Sequence, residues 1–272
     1  MNWVHIALRE VKLGFRNPWA YSFMSLFTVF SLSLLLINSQ NVVEGYSSAT
    51  STMLNFILYL LPLMTLLIGS FSLTAEKEEG SWQLLSTYPL RTLSFLIGKY
   101  TGLALVLLTI VAFGYGITGI LGALTGKGLD FQTFGLFIVF SGGLIILFLA
   151  IALCIGTWAH NRWQALTFGV ALWFFAIIGW PTLLIAVLNL MPYLWIKPLL
   201  AILTVLNPAE LVRCFVVVKL GGGAALGPEY YEWIRWIQEP TGTWGFAAVC
   251  LIWVGAAMFC AHWVWERGRS HG

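Results

Sequence analysis

The sequence predicts an all-α membrane protein with six transmembrane helices that follow an N-terminal amphipathic interfacial helix. Hydrophobic residues make up 59% of the 272-residue chain and charged residues only 9%, whereas soluble domains carry roughly 25% charged residues. So few charges cannot cover a water-facing surface of this size, so most of the surface is expected to face lipid. The 14 Trp and 9 Tyr residues agree with this, because both side chains favour the boundary between lipid and water.

Residues 1–17 predict a cytoplasmic amphipathic helix on the membrane surface. Four basic side chains recur every three or four residues and share one helical face, next to an apolar face. The four are His5, Arg9, Lys12 and Arg16. Such a helix lies in the headgroup layer, where anionic lipid attracts it. A signal peptide is the alternative, but the following apolar stretch is long and no Ala-x-Ala cleavage site follows it.

Six segments are apolar over the roughly 20 residues that a transmembrane helix needs. They are 18–38, 54–75, 100–121, 133–158, 165–188 and 243–265. One transmembrane domain, 18–265, is therefore expected, followed by a cytoplasmic tail, 266–272. With the N-terminus inside, nine of the 14 Lys and Arg residues lie on the cytoplasmic side, as the positive-inside rule requires. We expect a multi-pass protein of the plasma or inner membrane with both termini cytoplasmic.

The region 189–242 is expected on the outer side and contains a broken helix at 207–208. Asn207 suits the N-cap, Pro208 suits the first helical position, and Glu210 completes a capping-box pattern. A new helix is therefore predicted to begin at Pro208. The two half-length elements on either side of the break are expected to dip into the outer leaflet or to pack on the bundle.

A short charged cluster, Glu76-Lys77-Glu78-Glu79, separates two long stretches that carry no charge, 45–75 and 100–126. A charge at the centre of a bilayer costs about 2.5–3.5 kcal/mol. The cluster is therefore expected in water or against a protein partner. The lone Lys99 before the second stretch is expected to reach the interface by extending its long side chain.

The cytoplasmic segment 76–91 is the best candidate for a contact with a partner. It begins with the acidic cluster, and its apolar residues can present an edge to a groove; a solvated loop with an interfacial Trp is the open alternative. The candidate residues are Glu76, Glu78, Glu79, Gly80, Trp82, Leu85, Pro89 and Arg91.

No motif for catalysis or for cofactor or metal binding is found. The sequence has no His-Glu-x-x-His and no Gly-x-Ser-x-Gly, and 122–128 departs from a phosphate-binding loop in spacing and in its last residue. None of the four cysteines forms a Cys-x-x-Cys pair. Ionisable groups of the kind that ion-coupled carriers use are nearly absent from the spans, and His262, near an inner end, is expected to be an interfacial residue rather than a proton relay. Any energy source must therefore come from another chain.

The charged segment and the residues after it resemble the cytoplasmic signature of ABC-2 type transporter permeases. The matching residues are Glu76, Gly80, Ser81, Leu84, Leu85, Pro89, Leu90, Arg91, Gly98 and Lys99. The resemblance implies a permease without an ATPase site of its own, paired with a second copy of itself and with two separate ATPase subunits that bind ATP–Mg. It also implies that 76–91 is the coupling helix, seated in a groove of the ATPase.

Within that family the chain is most similar to the permeases of nitrous-oxide-reductase maturation systems. The similarity lies in Ser86-Thr87-Tyr88-Pro89-Leu90, Gly98-Lys99 and Asn207-Pro208-Ala209-Glu210. It implies a copper- or sulfur-related cargo for metalloenzyme maturation and an extracytoplasmic accessory protein that receives it.

Two other functions stay open at this stage. One is a membrane enzyme or a haem-handling protein that uses the Trp-rich outer region, although none of the four His residues, which could serve as axial ligands, lies there. The other is a membrane anchor that holds an ATPase without transporting anything.

Overall fold

The computed structural model describes residues 3–38, 46–80, 92–126 and 130–270, and within these ranges the chain contains helices and no strand. The all-α prediction is confirmed. Five helices are described in the first part of the chain. They are α1 (Trp3–Gly14), α2 (Pro18–Asn38), α3 (Ser48–Glu78), α4 (Thr92–Thr125) and α5 (Phe131–Trp158).

The second part of the chain is more interrupted. A π-helix (Phe174–Gly179) separates α6 from α7, and two short 3₁₀ turns (Gly223–Leu226 and Pro228–Tyr230) precede α10. The α-helices are α6 (Arg162–Trp173), α7 (Trp180–Leu190), α8 (Tyr193–Leu206), α9 (Pro208–Lys219), α10 (Tyr231–Gln238) and α11 (Pro240–Ser270).

Five helical units in the described ranges are long and apolar enough to cross a membrane: α3, α4, α5, α11 and the continuous unit Arg162–Leu190. The 21-residue α2 contains no charged residue and occupies the predicted first span. Helices α8 and α9 pass the same test only as a pair, and they are bent by 110° where the sequence predicts the break at 207–208.

The centre of the bundle is formed by α3 and α5. In the most apolar window of each helix, 61% of α3 and 56% of α5 is buried, against 11% of Arg162–Leu190 and 6% of α11. The last two spans therefore lie at the periphery, where their apolar side chains face outwards.

Helix α1 packs against α4 where α4 contains two glycines. A methyl group at Gly98 would lie 2.6 Å from the Ile6 Cβ atom, and one at Gly102 would lie 2.6 Å from the Ala7 carbonyl oxygen. The buried face of α1 contains Ile6, Ala7 and Glu10, while Leu8, on the predicted apolar face, is 56% exposed. One apolar face is thus left for lipid and a second face docks on α4.

Both ends of the described chain lie at the same end of the bundle, which we call the α1 end. Helix α1 contacts the beginning of α4, and Trp265 near the end of α11 stacks on Phe95 with ring centroids 5.1 Å apart. The α1 end also contains the end of α3, the end of α5 and the beginning of α6, because neighbouring spans run antiparallel.

We expect Gly102→Ala to lower the free energy of unfolding by about 1–3 kcal/mol, because the added methyl meets the backbone of α1. Gly116→Ala is the matched control on the same helix, since nothing lies within 4 Å of its added Cβ. It should be neutral or stabilise by about 0.5–1 kcal/mol. Thermal unfolding in detergent measures both, and changes of the same sign and size would contradict the close α1–α4 contact.

Candidate functional site: the α1 end of the bundle

The last turn of α3 places four charged residues at the centre of the α1 end. We call Glu76, Lys77, Glu78 and Glu79 the charged tetrad. Successive residues of a helix point about 100° apart, so the members of the tetrad point in different directions. Together they reach α1, α4, α5 and α6, and the tetrad therefore joins several helices at one point.

Lys99 of α4 is the most buried charge at this end, with 1% of its side chain exposed. Its Nζ atom lies 3.0 Å from Glu10 Oε1 and donates to Ser72 Oγ at 2.7 Å. The Ser72 hydroxyl in turn donates to Glu10 Oε2 at 3.0 Å. A buried charge is tolerated when it is paired and hydrogen-bonded in this way. The three side chains thus connect α1, α3 and α4.

Instead of extending outwards, as the sequence predicts, the Lys99 side chain is buried against Glu10 and Ser72. The predicted span begins at residue 100, whereas α4 begins at Thr92, so Lys99 lies two turns inside the helix. The partner that makes this possible is Glu10, which the sequence analysis missed. Its signal was present: Glu10 is the only acidic residue of α1 and lies away from the basic face.

Glu76 is also buried, and the expectation that the whole charged cluster faces water or a partner is wrong for this residue. Its Oε1 atom lies 3.2 Å from Lys99 Nζ and 3.2 Å from Arg9 Nη2. Neither of its oxygens accepts a well-aligned hydrogen bond from the described residues. Charge attraction without directional bonds therefore holds Glu76 between α1 and α4.

Lys77 closes the end of α5. Its Nζ atom donates to the carbonyl oxygens of Gly156, Thr157 and Ala159 at 3.0, 2.6 and 2.8 Å. The last carbonyls of a helix have no partner within the helix and carry the negative end of its dipole. An ammonium group at this point donates hydrogen bonds to the unpaired carbonyls and balances the negative end of the dipole. Lys77 therefore fixes the end of α3 to the end of α5.

Glu78 and Glu79 pair with Arg162 at the beginning of α6. The Arg162 backbone N–H donates to Glu78 Oε1 at 2.8 Å, and Arg162 Nε lies 3.0 Å from Glu78 Oε2. Arg162 Nη2 lies 3.6 Å from Glu79 Oε1. These side chains are partly exposed, so the pairs contribute about 0–1 kcal/mol each. With 65% of its side chain exposed, Glu79 is the tetrad member most accessible to a partner.

Gly80 ends α3 in the left-handed region, at φ 70°, where glycine is favoured. The predicted contact residues Trp82, Leu85, Pro89 and Arg91 lie outside the described residues.

A cavity of about 730 Å³ lies beside the tetrad, between α1, the beginning of α2, α3 and α6. One part of its wall is charged and contains Arg9, Glu76 and Arg162, and another part is apolar and contains Trp19 and Trp163. The cavity has the size of a small-molecule site.

The predicted break at 207–208 lies level with the middle of Arg162–Leu190 and of α11, since Asn207 contacts Ala176 and Trp253 contacts Val205. Asn207 Oδ1 accepts from the Ala209 N–H at 2.9 Å, so it caps α9 as expected from the sequence. Glu210, instead of completing a capping box, accepts two bonds from Arg213, one of them from Nε at 2.9 Å. Tyr230 packs beside α8 and α9, and burial raises the pKa of its phenol.

This arrangement defines a class of protein: a polytopic helical membrane protein whose crossings and surface helix are joined at the charged tetrad. The chain belongs to the ABC-2 family of transporters, because the family model described as ABC-2 family transporter protein matches residues 4–267. Membership implies a transporter subunit that associates with an ABC ATPase.

Two relatives resemble the chain over nearly its full length. The Probable ABC transporter permease protein NosY of Stutzerimonas stutzeri is 27% identical over 271 residues, which cover 97% of both chains. The protein of the same name from Pseudomonas aeruginosa is 29% identical over 276 residues, covering 96% of this chain and 97% of the relative. The chain is thus an ABC-2 permease similar to NosY.

We expect Lys99→Met to cost about 3–5 kcal/mol of stability, because it leaves Glu10 buried without its cation. The double variant Lys99→Met, Glu10→Gln should lose much less than the sum of the two single variants, since both charges leave together. Lys12→Met on the exposed face of α1 is the control and should stay within about 0.5 kcal/mol of the parent. Thermal unfolding in detergent is the measurement, and additive losses would rule out the buried pair.

Proposed function

We propose that this permease transmits the work of an ABC ATPase through the segment 76–91, which docks on the ATPase at the cytoplasmic side. The observation that carries the proposal is the charged tetrad at the start of this segment, since its side chains reach α1, α4, α5 and α6. A displacement of the docked segment would therefore move the ends of these helices together.

The tetrad divides into two roles in this proposal. Glu76 and Lys77 are held inside the bundle and act as positioning residues for the segment that follows. Glu79, Gly80 and the residues beyond them make the contact with the ATPase. Buried pairs suit the first role because breaking one is costly, and exposed charges suit the second because they steer and orient a partner.

The transport cycle needs two ATPase subunits, each with ATP–Mg, and a second copy of the permease. ATP-driven closure of the ATPases would shift the permease pair between inward- and outward-facing states. The low burial of Arg162–Leu190 and α11 supports the second copy, because each of these spans has an apolar side left uncovered by its own chain. In this arrangement both termini and the α1 end lie in the cytoplasm, beneath the plasma or inner membrane.

For the cargo we propose a copper- or sulfur-related species used in metalloenzyme maturation and received by an accessory protein on the outer side. The resemblance to the nitrous-oxide-reductase maturation permeases supports this proposal. The cavity beside the tetrad, with one charged and one apolar wall, is the place where such a species would enter from the cytoplasm.

We expect Glu79→Lys to reduce ATPase turnover of the assembled complex about tenfold or more, because a reversed charge at a docking surface opposes its partner. The variant should fold normally, since Glu79 is exposed. Glu229→Lys, at an exposed position on the opposite end, is the matched control and should leave turnover unchanged. Co-purification with the ATPase and nucleotide hydrolysis are measured together. Parent-like co-purification and hydrolysis by Glu79→Lys would contradict the docking proposal.

The proposed orientation has a separate test. In a variant without its native cysteines, Glu229→Cys should react with a membrane-impermeant maleimide in intact cells, whereas Glu79→Cys should react only after the cells are opened. The physical reason is that an impermeant reagent reaches only the outer face. Labelling of Glu79→Cys in intact cells would place the segment 76–91 outside and refute the proposed coupling.

A further inference from the structure

The fifth span, Arg162–Leu190, is interrupted by the π-helix Phe174–Gly179, and this interruption leaves one carbonyl without a backbone partner. The Trp180 N–H donates to the Phe175 carbonyl, five residues back. In that register the Ala176 carbonyl would take the N–H of residue 181. Residue 181 is proline, which has no N–H to give.

Asn207, at the break between α8 and α9, supplies the missing donor. Its Nδ2 atom donates to the Ala176 carbonyl oxygen at 2.7 Å, while its Oδ1 accepts from the Ala209 N–H at 2.9 Å. Only 3% of Asn207 is exposed. The buried amide of Asn207 thus satisfies the unpaired carbonyl of the π-helix and caps the start of α9.

The other side of the break is held by the last span. The Ala209 N–H would donate to the Val205 carbonyl in a continuous helix, but it is bound to Asn207. The indole Nε1 of Trp253, on α11, donates to this carbonyl at 2.9 Å instead. The break between α8 and α9 is therefore a joint between the fifth span and α11.

The hydrogen bond of Asn207 depends on the register of the fifth span. If 174–181 were α-helical, the Trp180 N–H would donate to the Ala176 carbonyl, and Pro181 would leave the Ile177 carbonyl unpaired instead. Asn207 would then lose its acceptor. The π register and the seating of Asn207 consequently stabilise each other.

The fifth span is also held unevenly. Its first half is fixed to α3, where the Trp173 indole donates to the Tyr59 carbonyl at 2.8 Å. Its most apolar window is only 11% buried. A change of register between Trp173 and Pro181 would thus meet little packing resistance, and single π-helical turns are frequent at functional sites.

We propose that Asn207 is a positioning residue that couples the register of the fifth span to the bent pair α8–α9. A change of 174–181 from the π to the α register would rotate α7 relative to α6 and break the hydrogen bond from Asn207 to Ala176. The bent pair would then be free to move during transport. The register coupling rests on the geometry alone, while its use in transport rests on the proposed function.

A double-variant cycle tests the coupling. Asn207→Ser keeps a capping oxygen but removes the amide donor, so it should lower the Tm by a few degrees, about the effect of one buried hydrogen bond. It should also speed deuterium exchange in the peptide 174–182. Pro181→Ala restores a backbone N–H for the orphan carbonyl, so adding Asn207→Ser to Pro181→Ala should cost much less. Equal losses in both backgrounds would overturn the coupling.

Trp253→Phe is the matched control, because it removes the donor on the other side of the break. Its Tm loss should be the same with and without Pro181→Ala, since the Val205 carbonyl is independent of the register of the fifth span. A rescue of Trp253→Phe by Pro181→Ala would overturn the proposal, because the effect of Pro181 would then be general.

The role in transport is measured in the complex with its ATPase. Asn207→Ser should shift the register equilibrium roughly five- to tenfold and lower cargo movement per ATP hydrolysed, with ATPase binding intact. If the Tm losses are non-additive but transport is unchanged, the role in transport is refuted and the register coupling still stands. Failure of the parent chain to stimulate any ATPase would instead refute the proposed function, and the Tm and exchange data would still decide the coupling.

Discussion

The buried ammonium group of Lys99 is the interaction on which the α1 end depends. It neutralises Glu10, shares Glu76 with Arg9 and binds Ser72, so it connects a surface helix to two crossings at a buried position. A buried pair of this kind is held by the cost of leaving either charge alone rather than by its own net energy. The surface helix and the last turn of α3 are therefore bound to the same point.

A second constraint is that backbone groups inside a membrane need partners within the protein. The fold interrupts its helices repeatedly, and at each of three interruptions a side chain supplies the missing donor. Lys77 closes the end of α5, Asn207 serves the π-helix, and Trp253 serves the end of α8. At these interruptions side chains therefore connect separate helices. Lys77 does so at the α1 end, whereas Asn207 and Trp253 do so level with the middle of the fifth span and of α11.

Much of the architecture could be predicted because its signals are local. Apolar stretches of about 20 residues predict spans, and Asn207-Pro208 predicts a break, since capping chemistry involves only neighbouring residues. The site was predicted only in part. The segment from Glu76 onward stood out by its charge, but Glu76 proved to face inwards, and the partners Glu10, Ser72 and Arg162 were not foreseen. Glu10 and Arg162 come from two other helices, and Ser72, one turn before Glu76 on α3, meets Lys99 only because α3 packs beside α4.

The sequence by itself determined the membrane class, the segments that cross, the family and the place where a helix must break, because hydrophobicity, capping and a short signature are written along the chain. The tertiary structure alone decided which charges are paired inside the bundle and which stay accessible. It also decided that the side-chain amide of Asn207 donates to the carbonyl of Ala176. The reason is physical: burial and hydrogen-bond partners depend on how separate helices rotate against one another, and a one-residue change of register in a single span alters that rotation for everything beyond it.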